Sequence, residues 1–234
     1  MKKIILFLSI CLFLTTVTEA QENPTNPYDY VGQLHNQIVQ QALLIERKNS
    51  ESTADDVENI ALSNGLFSKQ FPSYSKNSGI INGFIKQGVN DYNNNFRSTI
   101  NGLNISTDAK GYAQNLVDYM FTSGMSSNPS SYSEFNSYVI KLEQDILSNS
   151  KLTEFDKQVI LCGTSTARYS GSLWSQKQSE GGEAAKRPWW NWLIIGVCDV
   201  GGAIAGATVN PGVAVTAGAA ASVAANTLTN PSNK

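Results

Sequence analysis

Histidine is almost missing from this chain, and the other absences narrow its chemistry further. The single histidine, His35, cannot build a His-rich metal site. The three cysteines, Cys11, Cys162 and Cys198, form no CxxC pair. There is no complete EF-hand loop, GxSxG, HExxH, P-loop or Rossmann fingerprint. Adjacent Asp55 and Asp56 point apart on a helix, and Glu143 and Asp145 have no partner that spacing identifies. No catalytic, cofactor-binding or metal-binding residue is therefore assigned, and no cofactor is expected. Excess positive charge is lacking too: 17 Lys and Arg face 19 Asp and Glu, a net charge of −2. A nucleic-acid binder needs a basic stripe to neutralise phosphates, so nucleic acid is excluded as a partner. Segments long enough for a sheet are absent. The β-branched pieces are short, and the expected fold class is all-α.

What is present begins with an export signal. Lys2 and Lys3 precede an apolar run from Ile4 to Phe13, and Thr18-Glu19-Ala20 fits a cleavage site. That run is far shorter than the roughly 20 residues needed to span a bilayer. Residues 1–20 are read as a signal peptide and the mature protein as secreted or periplasmic, with envelope association open. Bulky Ile10 beside Cys11 does not suit a lipoprotein box. Cleavage leaves Cys162 and Cys198. In an oxidising compartment they are expected to form a disulfide worth roughly 3–4 kcal/mol in the chain-entropy account; two buried free thiols are the alternative.

Residues 21–175 read as a helical domain. Leu34, Ile38, Ala42 and Ile45 share one face of a helix over 31–48, with Asp29 as a candidate cap. His35 lies one residue off that stripe and reads as a neutral histidine at a core edge. A shorter helix opens at Ser52-Thr53 and stops at Asn64-Gly65. Phe67 to Ser78 reads as a loop. A long helix is expected over Gly79–Leu103, where Gly83 and Gly88 are candidates for close contact. Ser106 or Thr107 caps the next helix, Pro129 starts another, and Thr153 caps a sixth that carries Cys162. Residues 176–187 have no apolar period and read as a flexible linker.

The last segment differs. Between Trp189 and Pro231 the only formal charge is Asp199. Trp189, Trp190 and Trp192 crowd its entrance, where aromatic rings favour an apolar boundary. Asn210-Pro211-Gly212 is a turn signal that divides it in two. Gly202 and Gly206 are four apart in the first half, and Ala214, Gly218 and Ser222 repeat that spacing in the second. Small residues at this period let helices approach closely. Residues 188–230 are therefore expected to form a Gly/Ala-rich helical hairpin on a multi-helix bundle or array, followed by a 231–234 tail. The expected helix-contact or membrane-interface residues are Trp189, Trp190, Trp192, Asp199, Gly202, Gly206 and Gly218.

Gly202-Ala203-Ile204-Ala205-Gly206-Ala207 and Gly218-Ala219-Ala220-Ala221 resemble glycine-zipper segments of small membrane-active bacteriocins and of glycine-zipper envelope proteins. The leader followed by Asn-Pro-Tyr-Asp-Tyr-Val-Gly is similar to uncharacterised secreted proteins of Gram-negative Bacteroidetes. These resemblances imply export and no defined activity, and they transfer no functional residue. Three classes stay open. The leading one is a non-enzymatic exported protein whose 188–230 hairpin mediates membrane association or self-association, membrane activity included. The second is a soluble secreted or periplasmic binding or structural domain with the hairpin buried. The third is a hydrolase with a noncontiguous site.

Overall fold

Apolar stripes at helical spacing, punctuated by caps, shape the first part of the molecule. The computed structural model describes residues 22–44, 53–91, 96–124, 132–179 and 189–229. Those residues form ten helices and no strand. The expected signal peptide, linker residues 180–187 and the tail 231–234 lie outside the described residues. The helices are α1 (Asp29–Leu43), α2 (Thr53–Ser63), α3 (Gly65–Gln70), α4 (Ser78–Asp91) and α5 (Arg97–Gly102). They continue with α6 (Thr107–Gly124), α7 (Tyr132–Ser148), α8 (Glu154–Ser179), α9 (Trp189–Ala207) and α10 (Pro211–Thr229).

Local chemistry sets several helix starts. Thr153 Oγ1 accepts from the Asp156 backbone N–H at 3.0 Å, and the Asp156 carboxylate accepts from the Thr153 N–H and hydroxyl in return. This reciprocal pair closes the start of α8. Ser106 Oγ accepts from the Ala109 N–H at 3.2 Å at the start of α6. Asn64 accepts from the N–H groups of Leu66 and Phe67 and opens α3, which runs on to Gln70 within the segment read as a loop. Asp29 does not cap α1; its carboxylate is taken by α8 instead.

The helix expected over 79–103 is two helices. Phe96 breaks it with φ 54, a left-handed conformation costly for an aromatic residue. Packing explains why it is held. The Phe96 ring is buried against Gly88 of α4 and Gly201 of α9, where a Cβ would come within 3.1 and 2.5 Å of it. Gly83 has open space around it and makes no such contact. Helix α8 runs through 176–179, into the segment read as linker.

The core is built around the last two helices. α9 and α10 share the most extensive helix–helix contact in the fold. α8, α6, α4 and α5 pack against α9, and α1, α4, α2 and α8 pack against α10. Every residue from Gly212 to Ala225 is buried. Asn210 Oδ1 accepts from the Val213 N–H at 2.9 Å and caps α10. Pro211 takes the first helical position, where a missing N–H costs nothing.

Candidate functional site

Contact between α9 and α10 is a contact between backbones. A Cβ on Gly202 would fall 2.6 Å from the Ala217 carbonyl oxygen, and one on Gly206 would fall 2.5 Å from that of Val213. On Gly218 it would fall 3.0 Å from the Asp199 carbonyl oxygen. All three glycines thus sit where the two helices touch. Trp189, Trp190 and Trp192 occupy the first turn of α9, and their side chains lie outside what the structure describes. α10 is, among the described residues, the one helix long and apolar enough to cross a membrane. An 18-residue window of this helix has a mean hydropathy of 1.2, and 78% of that window is buried inside the protein.

The one charge of this region sits in the middle of the core. Asp199 is fully buried. Its Oδ2 accepts from the Ser170 hydroxyl and, at 3.1 Å, from the Trp174 indole N–H, both on α8. His35 of α1 is also fully buried, with Nε2 3.9 Å from the same oxygen. The Asn36 amide donates to the Tyr169 carbonyl at 2.7 Å, which turns its oxygen toward His35 Nδ1 at 3.1 Å. Nδ1 therefore carries the proton of the neutral ring, and Nε2 faces Asp199 with no hydrogen bond. Asp199 Oδ1 and the Ser222 hydroxyl also lack one. Burial pushes the Asp199 carboxyl up, against the opposing pull of His35, Ser170 and Trp174. Burial holds His35 below its usual range, against the pull of Asp199 and Asn36. A serine, a histidine and an aspartate thus meet without forming a nucleophile–base pair: the serine bonds the carboxylate, and none of the three reaches solvent.

The expected disulfide is corrected. Cys162 and Cys198 are both free and buried. The register of α8 on α9 separates them. Gly163 packs on Ile204, while Ser170 bonds Asp199, so the two helices run antiparallel. The level of Cys198 on α8 is near Ser170, about 12 Å along the helix from Cys162 at ~1.5 Å per residue. A disulfide needs Cα atoms within about 7 Å. Burial raises both thiols well above the ordinary range, with Asp199 adding to the effect at Cys198. They are therefore inert in the folded chain.

A second polar centre escaped the sequence reading. Arg168 of α8 is fully buried, with Nε 3.2 Å from the Glu143 carboxylate of α7 and Nη2 bonded to Asp29 of α1. Asn23 and Asn26 donate to Glu143 at 2.6 and 2.7 Å, and Tyr169 donates to Asp29 at 3.0 Å. Burial opposes the Arg168 charge, but Glu143 and Asp29 outweigh it and raise the guanidinium above its usual range. The network ties α1, α7 and α8 together and fills its own hydrogen-bonding capacity. It is structural in character. Asn23, Asn26 and Asp29 lie over a hundred residues from the partners they meet on α7 and α8, and Arg168 lies 25 from Glu143, so spacing carries no signal for them. Among the described residues no group of His, Cys, Asp and Glu is placed to hold a metal ion. Comparison with family models, with curated proteins and with solved structures finds no match to this chain.

Proposed function

We propose that this is an exported, non-enzymatic helical protein that acts through its C-terminal segment. Residues 189–229 form a helical hairpin that is stored in the interior and associates with membranes when the surrounding helices open. The observation that carries this reading is the combination in α10 of spanning length and apolarity with nearly complete burial. The character of the contacts supports it. Within the hairpin, backbone meets backbone at Gly202, Gly206 and Gly218, so the two helices hold together as a unit. Toward the shell, contact is made by side chains, as where Ile204 covers Gly163. Such contacts can separate without breaking the hairpin. Closure of the Ser170, His35 and Asp199 cluster from solvent supports a role without catalysis. The basic and apolar order of residues 1–20 supports export.

A second reading has its own observation. Asp199 is bonded to Ser170 and Trp174 of α8, which anchors the hairpin to the shell. This favours a soluble binding or structural domain with the hairpin permanently buried. Fractionation of cells and co-sedimentation with phosphatidylethanolamine/phosphatidylglycerol vesicles separate the two. Retention on membranes through an alkaline wash, dependent on residues 189–229, is expected from the stored hairpin. Full release into solution, with no sedimentation on vesicles, supports the second reading and rejects the first.

A further inference from the structure

The loop after α3 and the turn between α9 and α10 face each other across a cleft of about 320 Å³. That lies at the small end of the range of ligand pockets, about 300–1,000 Å³. Phe71 and Tyr74 supply half-buried aromatic rings to one wall, and Asn210 and Pro211 form the other. No formally charged side chain lines the cleft. Polar capacity remains on both sides. Asn77 donates its amide N–H to the Ser75 carbonyl at 2.6 Å and keeps its side-chain oxygen free. Asn210 spends its oxygen on the Val213 N–H and keeps its NH2 free. Ser73 and Ser75, both exposed, also line the cleft.

The walls are fixed before any ligand arrives. Glu58 of α2, fully buried, accepts from the Tyr74 hydroxyl and the Asn77 backbone N–H, each at 2.6 Å, and from the Ser78 hydroxyl. Tyr74 also bonds Thr216 of α10 at 2.9 Å. The Phe71 ring packs on Phe67 at 4.9 Å and on Tyr30 at 6.0 Å, and Phe67 meets Tyr74 edge-on at 5.0 Å. A buried carboxylate thus pins a loop that would otherwise be mobile, and pre-organisation lowers the cost of binding.

We propose that this cleft binds a neutral saccharide, as a single sugar or the terminal residue of a glycan. The chemistry matches. A sugar ring presents C–H groups to an aromatic face, and its hydroxyls both donate and accept. Here an amide oxygen and an amide NH2 meet them from opposite walls. The absence of charge in the cleft disfavours anionic ligands. This inference goes beyond the membrane reading and does not depend on it, because it is tested without lipid.

The test is calorimetric titration and ligand-observed NMR of the full mature chain with glucose, galactose, mannose and N-acetylglucosamine. Asn210→Asp keeps the oxygen that caps α10 and removes the NH2 donor. Ser73→Trp fills the cleft from an exposed position. Binding of at least one sugar is expected in the millimolar range. It should weaken about tenfold in Asn210→Asp, the scale of a lost hydrogen bond. It should vanish in Ser73→Trp, with both variants melting like the parent. Failure of all four sugars to bind overturns the proposal. So does binding that survives both substitutions, which places the sugar elsewhere. A proline-rich peptide that binds the parent chain in place of the sugars, and is blocked by Ser73→Trp, also overturns it.

Discussion

The helices of the shell, α1 to α8, and the apolar pair α9 and α10 are held by opposite means. In the shell, side chains do most of the packing, with one close backbone approach where Gly32 of α1 meets the Ser165 carbonyl of α8. Val31, Leu34, Ile38 and Ala42 make one buried face of α1, and Val139, Leu142 and Ile146 make one of α7. Exposed faces carry the charge. In the pair, the missing side chains do the packing: glycines bring carbonyl oxygens within reach of the neighbouring backbone. A shell helix tolerates change on its outer face. From Ile195 to Ala207 and from Gly212 to Ala225 the pair has no outer face until the shell is removed. Stability in the shell therefore resides in side-chain area and in the Arg168 network, and stability in the pair resides in distance.

The largest expected effect breaks the shell at its polar centre. Arg168→Met leaves Glu143 buried without its counter-charge and should cost about 3–5 kcal/mol. Chemical denaturation of parent and variant measures it; a loss within experimental error would mean the network is not a structural anchor. Next comes the pair. Gly206→Leu drives a side chain into the Val213 backbone, which cannot yield as a flexible side chain would, and should cost about 1–3 kcal/mol or more. Unchanged melting would show that the close approach of α9 and α10 is absent.

A smaller effect concerns pH. Burial raises Asp199 and lowers His35. The raised carboxyl lets the folded chain hold a proton that the unfolded chain loses above about pH 4, so Asp199 makes stability fall as pH rises from there. The lowered imidazole lets the unfolded chain hold a proton that the folded chain lacks below about pH 6.5, so His35 makes stability fall as pH drops from there. Between about pH 4 and 6.5 the two slopes oppose each other. Asp199→Asn leaves only the lowered His35 and should replace that offset with a plain decline with acid below about 6.5. His35 is the only histidine, so no other imidazole confuses the measurement. A thermal-melt profile with the same shape in both proteins would count against this pairing.

The smallest effect sharpens the contrast between glycines. Gly83 is exposed in α4 with nothing near its Cβ position. Gly83→Ala should stabilise by about 0.5–1 kcal/mol, the opposite sign to the substitution at Gly206. Melting temperatures of the two variants decide it.

Legibility in the sequence followed the same division. Stripes such as Leu34–Ile38–Ala42 announced the shell helices because burial on one face leaves a period. Asn210-Pro211 marked the turn between α9 and α10 through local backbone preference. Gly32 went unread: a Cβ there would meet the Ser165 carbonyl oxygen at 2.5 Å, yet nothing local separates it from exposed Gly83. The Phe96 break was hidden because its cause is a ring wedged between Gly88 and Gly201 from other elements. The cysteines misled because compartment and count say nothing of register, and it is the register of α8 on α9 that keeps them apart. Asp199 stood out as a lone charge, but its partners His35, Ser170 and Trp174 come from two distant helices. Long-range polar contacts leave no period to read.

Thiol labelling with vesicles present tests the stored hairpin most directly. Cys162 lies on the shell helix α8 and Cys198 on α9, both buried and free. The mature protein is treated with a water-soluble alkylating reagent near pH 8, alone and with phosphatidylethanolamine/phosphatidylglycerol vesicles. Without vesicles both thiols should resist until the chain is denatured. With vesicles, opening should expose Cys162 to water and carry Cys198 into lipid, so that Cys162 labels and Cys198 does not. Protection of both cysteines in the presence of vesicles would contradict the opening of the shell and leave the hairpin as a permanent core.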